Sequence, residues 1–295
     1  MLHELGAIRA VTYSVPDLQA IEQAYVGELG YIVVARGHVG AVQARSWGSP
    51  ESAGLPELLL GPASGEAVYL RFVEDSAAAG WVALRTFGWN ATEFVVQDVD
   101  ALAARLSGGA SAFTIIGPPR SLSRFPMIRA MQVIGPAGEC CYFTQVGLGS
   151  GLDLAAARSF VGRVFIVVGA GPDADALFRP YQDFTNAQEP PVATPVVVIS
   201  NAHQLPPQTL HRHGLVRLPE GTLIELDEYP LSATVRPRIQ GKLPPGMAMV
   251  TFAVDSLGNR GFVAPPGRSD LPGLDGPTAC LRGAAGELIE MIGLR

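Results

Sequence analysis

Two glutamates, Glu225 and Glu290, each stand in the middle of an apolar run that has the character of a β-strand. Glutamate is disfavoured within strands, and an isolated buried charge is costly, so each position calls for an explanation. Strand alternation places Glu225 on the same face as Asp227, and Glu290 on the same face as Leu288. If these faces point inward, the carboxylates could bind a divalent cation or transfer protons as general base and acid. If they point outward, both residues are ordinary solvated charges.

Three histidines precede the Glu225 strand, namely His203, His211 and His213. The spacing of His211 and His213 puts both imidazoles on one face of a strand, which is a geometry compatible with a metal ion. If the turn at Pro219–Gly221 closes a hairpin, His213 lies near Asp227. The alternative is a solvated strand end, which needs no ligand.

The composition limits the classes of partner. The chain has 295 residues, of which 48% are hydrophobic and 16% are charged, as in a compact protein with an ample core. A formal net charge of -6 argues against a nucleic-acid partner, because phosphate binding requires clustered Lys and Arg. The three cysteines lack a CxxC spacing, and neither a signal-like start nor a run of about 20 apolar residues is present. We therefore expect a cytoplasmic protein with a small-molecule ligand and no membrane partner.

The sequence contains an internal repeat. Three landmarks recur in the same order, and they pair Val11–Asp17 with Val164–Asp173, Ala67–Glu74 with Thr222–Tyr229, and Gly135–Tyr142 with Gly283–Glu290. The first landmark is a strand followed by Pro-Asp, which suits the start of a helix, and the third is a tight turn that leads into a strand. The glycine-rich segment Gly147–Ala157 is the natural linker. The repeat predicts two domains, 1–148 and 158–295.

Each half is divided again into two units. In the first half, the strand Thr92–Val96 is followed by Asp98 and a helical pattern, and in the second half the strand Met249–Val254 is followed by Asp255. Four units result, each consisting of a strand, a helix and further strands.

These landmarks resemble the vicinal oxygen chelate superfamily, which includes glyoxalase I, extradiol dioxygenases and bleomycin-resistance proteins. The resemblance spans nearly the whole chain, through VTYSVPDL, FVVQDVDALAARL, IGPAGECCYF, TLIELDEY and AAGELIEMIGL. It implies an α+β fold of two tandem glyoxalase-like domains, in which four βαβββ units form two cup-shaped sheets. In this family, metal ligands project from the first and last strands of the units.

The resemblance also assigns ligand positions in this sequence. In the order of the units, they fall on Ala10 and Leu70, Thr92 and Tyr142, Arg163 and Glu225, and Met249 and Glu290. The first domain is therefore expected to bind no metal, and the second to offer Glu225 and Glu290 as metal ligands or catalytic groups. Arg163 would be a further catalytic group, able to bridge the two carboxylates or bind an anionic substrate. Its alternative place is the outer face of the sheet. Tyr142, Met249 and His213 are the expected substrate contacts.

Two functions fit these features. The first is an enzyme (a lyase, isomerase or dioxygenase-like protein) that acts on a small carbonyl- or aromatic-containing metabolite in the C-terminal cup. One divalent metal ion is its candidate cofactor. The second is a non-catalytic protein that binds or sequesters a small molecule, as bleomycin-resistance proteins do. An intact extradiol dioxygenase site is not expected, because its iron needs two histidines and a carboxylate. Either function is compatible with a monomer or a homodimer.

Overall fold

The computed structural model describes residues 5–122, 125–147, 153–185 and 189–293. Within them the chain forms four units and two eight-stranded sheets. Residues 148–152 of the expected linker, Gly147–Ala157, lie outside the described residues.

The first half of the chain supplies units 1 and 2. Unit 1 consists of β1 (Ile8–Val15), α1 (Leu18–Gly27), β2 (Ile32–His38), α2 (Ala41–Ser46), β3 (Pro56–Gly61) and β4 (Tyr69–Glu74). Unit 2 consists of β5 (Gly88–Val96), α3 (Val99–Leu106), β6 (Thr114–Ser121), β7 (Ile128–Ile134) and β8 (Cys140–Val146).

The second half supplies units 3 and 4. Unit 3 consists of β9 (Val161–Gly171), α4 (Ala174–Thr185), β10 (Val192–Pro195), α5 (Val197–Ala202), β11 (Leu210–Leu218) and β12 (Thr222–Glu228). Unit 4 consists of β13 (Gly246–Val254), β14 (Gly267–Leu271), β15 (Leu274–Arg282) and β16 (Leu288–Gly293).

The helices begin where the sequence predicts. Asp17, Asp98 and Asp173 cap α1, α3 and α4, because each carboxylate accepts a hydrogen bond from the backbone N–H three residues later, at 2.9–3.0 Å. Asp255 is followed by no helix, so unit 4 departs from the pattern of the other three. None of the helices in the described ranges has the length and apolar character needed to cross a bilayer.

The repeat is visible as a matched pair of contacts. The Tyr25 hydroxyl of α1 donates to Glu139 Oε1 at 3.0 Å, and the Tyr181 hydroxyl of α4 donates to Glu287 Oε1 at 3.0 Å. Both glutamates follow the glycine turns that the sequence pairs, and each also accepts a backbone N–H within its own turn. Unit 1 is therefore attached to unit 2 in the same way that unit 3 is attached to unit 4.

Each sheet, however, takes one unit from each half. One sheet has the strand order β14-β15-β16-β13-β1-β4-β3-β2, and the other has the order β10-β11-β12-β9-β5-β8-β7-β6. We call the cupped face of the sheet from units 1 and 4 "cup 1", and that of the sheet from units 2 and 3 "cup 2". The expectation that units 3 and 4 would form one cup is wrong. Alternation specifies which face of a strand is buried, but it does not specify which strand lies along its edge.

One apolar core joins the two sheets. Its cluster of buried side chains includes residues of all four units, for example Tyr25, Phe94, Tyr181 and Phe252. Because successive side chains of a strand point to opposite faces, one face of each sheet packs into this core and the other lines its cup.

Candidate functional site

Two of the positions carried over from the family lie one residue away from the cup. Leu70 packs into the core that joins the sheets, whereas its neighbour Arg71 points into cup 1 and contacts Glu290 there. Thr92 is also in the core, where its hydroxyl is hydrogen-bonded to Tyr13. Its neighbour Glu93 points into cup 2. A shift of one residue moves a side chain to the opposite face of a strand, so both assignments chose the wrong residue.

Glu93 and Arg71 are therefore cup residues that the sequence analysis missed. A signal for Glu93 was present, because it stands in the middle of the apolar run of β5, as Glu225 and Glu290 do in their own strands. The same criterion applied to all strands would have found it.

The centre of cup 1 is a buried ion pair between Arg71 and Glu290. Arg71 donates to Glu290 Oε2 at 2.7 Å, and both side chains are 1% exposed. Trp47 Nε1 donates to Glu290 Oε1 at 2.6 Å, Thr251 donates to Oε2 at 2.5 Å, and Arg71 Nε donates to Thr12 Oγ1 at 2.8 Å. Both carboxylate oxygens are thus bound by side chains of the protein, and a guanidinium supplies the positive charge.

Cup 1 is also packed around this pair. Trp47 directly follows α2, and its ring lies 4.6 Å from the Arg71 guanidinium carbon, as a cation–π contact requires. Met249 is fully buried in the same apolar cluster as Trp47, and its sulfur contacts Cys280 Sγ at 3.7 Å. The prediction that Met249 contacts substrate in a cup shared with Glu225 is wrong, because the two residues belong to different sheets.

Cup 2 contains three carboxyl groups from two strands. Glu93 comes from β5, while Glu225 and Asp227 come from β12, and Asp227 is 1% exposed. Burial raises the pKa of Glu93 to about 8; the nearby Glu225 acts in the same direction and a hydrogen bond from Thr144 opposes it. Burial also raises the pKa values of Glu225 and Asp227, which are close enough to share a proton. Cup 2 therefore holds protons near neutral pH.

His213 joins this group from the neighbouring strand. It stands opposite Asp227 in the antiparallel ladder of β11 and β12, which confirms the predicted hairpin. One ligand atom from each of His213, Glu225 and Asp227 can be chosen so that all lie within 4.8 Å of one another. His213 Nε2 is also hydrogen-bonded to Thr194 Oγ1 at 2.8 Å.

The other two histidines hold α5 in place. His211 Nε2 is hydrogen-bonded to Ser200 Oγ of α5 at 2.9 Å. His203 follows α5 and bonds the Leu84 carbonyl through Nε2 at 2.9 Å and Ser232 Oγ through Nδ1 at 2.8 Å. Burial lowers the pKa values of both imidazoles. They serve as attachments of the helix.

The remaining wall of cup 2 is apolar and aromatic. Tyr142, Tyr229, Val168 and Ile199 of α5 belong to one buried cluster, and Tyr142 pairs with Glu93 in the ladder of β5 and β8. Tyr142 therefore lies beside the carboxyl groups, and its contact with a substrate stays a prediction.

Arg163 does not bridge the glutamates. Its Nε lies 3.3 Å from Glu66 Oε1, and its guanidinium donates to the carbonyl of Glu220. Glu225 pairs with Val168, five residues further along β9, which corresponds to about 16 Å of strand. The prediction that Glu225 and Glu290 share one site is also wrong, because they belong to different sheets.

A broad open groove lies elsewhere on the molecule. It has a volume of about 910 Å³ between α1 and the strands β2 and β3, and none of its lining residues belongs to the carboxyl group of cup 2. Its charged residues include Arg36 and Glu22, which form an exposed ion pair at 2.6 Å.

Neither a family model nor a curated protein matches the sequence. Among solved structures, glyoxalase I from Zea mays aligns with a TM-score of 0.61 at 14% identity, over 97% of this chain and 92% of that one. A candidate dioxygenase from Bacillus subtilis aligns with a TM-score of 0.64 at 12% identity, over 98% of this chain and 86% of that one. The chain has the vicinal oxygen chelate fold. At these identities the likeness concerns the fold alone.

The vicinal oxygen chelate fold makes the two cups comparable position by position. Arg71 stands three residues before Glu74, which accepts the first N–H of α1. Glu225 stands three residues before Glu228, which accepts the first N–H of α4. Arg71 and Glu225 therefore occupy corresponding positions. Glu290 and Tyr142 correspond through the matched glycine turns, and their strand partners are Thr251 and Glu93. Cup 2 therefore has an acid where cup 1 has its arginine.

Proposed function

We propose that the chain is an enzyme of the vicinal oxygen chelate type whose reaction takes place in cup 2. It would act on a small carbonyl- or aromatic-containing metabolite as a lyase, isomerase or dioxygenase-like protein. The observation that carries the proposal is the convergence of Glu93, Glu225, Asp227 and His213 in an apolar cup. At the corresponding centre of cup 1, side chains of the protein bind both carboxylate oxygens of Glu290.

The donor set of cup 2 fits a divalent cation. His213, Glu225 and Asp227 offer one imidazole and two carboxylates, which suit zinc, and an oxygen-rich set also suits manganese or magnesium. In addition, Asp227 Oδ1 is buried and has no hydrogen-bond partner among the described residues. When bound, such an ion would polarise a substrate oxygen as a Lewis acid.

Glu93 is suited to proton transfer. It stands outside the three residues that would hold the ion, and Thr144 fixes the orientation of its carboxyl group. A general acid or base works best when its pKa lies near the working pH, and that of Glu93 is raised to about 8. At neutral pH it would deliver a proton to a developing oxyanion, and once ionised it would remove one from a carbon next to a carbonyl.

The wall of cup 2 would exclude water from this chemistry. Ile199 of α5 packs in the apolar cluster with Tyr142 and Val168, and the attachments of α5 include the side-chain hydrogen bonds of His211 and His203.

Metal binding tests the first part of the proposal. Protein stripped with chelator is titrated with Zn²⁺ and with Mn²⁺ by calorimetry, in two buffers of different ionisation enthalpy. We expect one ion per chain, with release of protons, because carboxyl groups of raised pKa must ionise to bind it. Asp227→Asn should weaken binding at least about tenfold, in the range found when groups around a metal are lost. Glu57→Gln, which alters a buried carboxyl group of unit 1, is the matched control. Binding that Asp227→Asn leaves unchanged would refute the site.

Turnover tests the second part. Metal-loaded protein is incubated in D₂O with small α-hydroxycarbonyl compounds, and exchange of their carbon-bound protons is followed by NMR. We expect exchange in the unaltered protein and its loss in Glu93→Gln, while metal binding persists. Ligand binding without exchange or product would instead favour the non-catalytic binding protein.

A further inference from the structure

We infer that the ligand of cup 2 has an apolar body with a positively charged or hydrogen-bond-donating head group, and that carboxylates and phosphates are excluded. The inference rests on the proposed function only for the location of the ligand in cup 2. It depends neither on a bound metal nor on the type of reaction.

The comparison of the two cups within one chain is the first support. In cup 1 the carboxylate of Glu290 is completed by the guanidinium of Arg71 at 2.7 Å. Cup 2 has Glu225 at the position of that arginine and adds Glu93 and Asp227. None of the ion pairs between described residues joins an arginine or lysine to these three carboxyl groups. Cup 2 therefore offers acceptors for a cation that the protein does not itself supply.

Another buried arginine, Arg236, already has hydrogen-bond acceptors of its own. Arg236 donates to the backbone carbonyls of Met247 and Trp89 and to Thr86 Oγ1 at 3.2 Å, and it lies over the ring of Trp81. It cannot turn towards the carboxyl groups of cup 2 without leaving buried carbonyls without a donor.

A second, independent observation is a buried phenol without a partner. Tyr229 is 3% exposed, and its hydroxyl has no hydrogen-bond partner among the described residues. Burial raises its pKa, the nearby Asp227 raises it further, and the charge of Arg236 acts in the opposite direction. Buried polar atoms are normally hydrogen-bonded, so this hydroxyl together with Asp227 Oδ1 marks a place for a ligand.

The wall specifies the rest of the ligand. Tyr142, Tyr229, Val168 and Ile199 present apolar and aromatic surface next to the carboxyl groups. An ammonium or amidinium group would gain from the carboxylates and from the faces of the aromatic rings. An ammonium group would favour ionisation of the carboxyl groups, whereas an anionic group would lose its hydration and meet no positive charge in return.

The experiment uses three compounds of similar shape: benzylamine, benzyl alcohol and benzoate. Their dissociation constants are measured by NMR titration at pH 7.5, with chelator-stripped protein and with Zn²⁺-loaded protein. We expect benzylamine to bind at least about tenfold more tightly than benzoate in the stripped protein, and Zn²⁺, which would occupy the same carboxyl groups, to reduce this preference. The triple change Glu93→Gln, Glu225→Gln and Asp227→Asn, which leaves no carboxyl group in the cluster, should remove the preference, and Glu57→Gln should preserve it.

Every outcome has a defined meaning. Benzoate binding as tightly as benzylamine overturns the inference, as does the absence of binding by all three compounds. A preference for benzylamine that survives in the triple variant also overturns it, because the cluster would not be its source. If the preference is present but Zn²⁺ does not bind and no exchange occurs, the inference holds and the proposed enzyme fails. If Zn²⁺ binds and the stripped protein prefers benzoate, the metal site holds and the inference fails.

Discussion

Replacing Glu93 with glutamine removes a buried acid while preserving its shape and its ability to accept the hydrogen bond from Thr144. In the unfolded chain this carboxyl group ionises near its ordinary pKa of 4.5, whereas in the folded protein it keeps its proton to about pH 8. The unfolded state therefore binds fewer protons between these values. Stability that is present below pH 4.5 is lost as the pH rises through about 8.

The size of the effect follows from the same shift. A rise of the pKa from 4.5 to about 8 corresponds to about 5 kcal/mol, because each pKa unit is worth about 1.4 kcal/mol at 25 °C. This value is an upper bound, since the protein and water in the cup can relax around an ionised carboxylate. Glu93→Gln should therefore match the unaltered protein near pH 4.5 and become more stable by up to about 5 kcal/mol at pH 9.

Denaturant unfolding in the presence of EDTA, at pH 5, 7 and 9, measures this difference directly. A gap between the two proteins that does not change with pH would refute the reasoning, and so would a less stable Glu93→Gln at pH 9. Glu290→Gln is the matched comparison from cup 1, and it should lower the stability of the folded protein where Glu93→Gln raises it. It removes the ion-pair partner of the buried Arg71 and should cost about 3–5 kcal/mol at pH 7.

Three further predictions concern the ion pair of cup 1, the matched tyrosine contacts between units and the attachment of α5. Combining Arg71→Met with Glu290→Gln should cost clearly less than the sum of the two single changes, and additive losses in a double-mutant cycle would contradict a coupled pair. Tyr25→Phe and Tyr181→Phe should each cost about 1 kcal/mol by removing one hydrogen bond to a buried glutamate, and unequal losses would speak against equivalent contacts. Burial lowers the pKa values of His203 and His211, so their contribution is present above the ordinary value of 6.5 and is lost as the pH falls through the lowered values. Amide exchange in α5 should then be faster at pH 5 than at pH 8 after correction for the intrinsic rate, and equal protection would refute this.

The features that the sequence determined by itself are those set by local spacing. Asp17, Asp98 and Asp173 could be identified as helix starts because a cap involves residues only three positions apart. The repeated glycine turns showed the duplication. Alternation placed Glu225 and Asp227 on one face, and the hairpin turn set His213 opposite Asp227, because both relations lie within one short stretch of chain.

Only the tertiary structure decided which strands lie side by side and which face of each strand forms a cup. β1 pairs with β13 and β5 with β9, across more than 60 residues in each case, and no local pattern encodes a partner at that distance. That pairing separates Glu290 from Glu225 and places Glu93 beside Glu225. The sequence likewise left open whether Leu70 or Arg71 points into the cup. Alternation shows which residues of a strand share a face, but only the packing of the strand shows which face lines the cup.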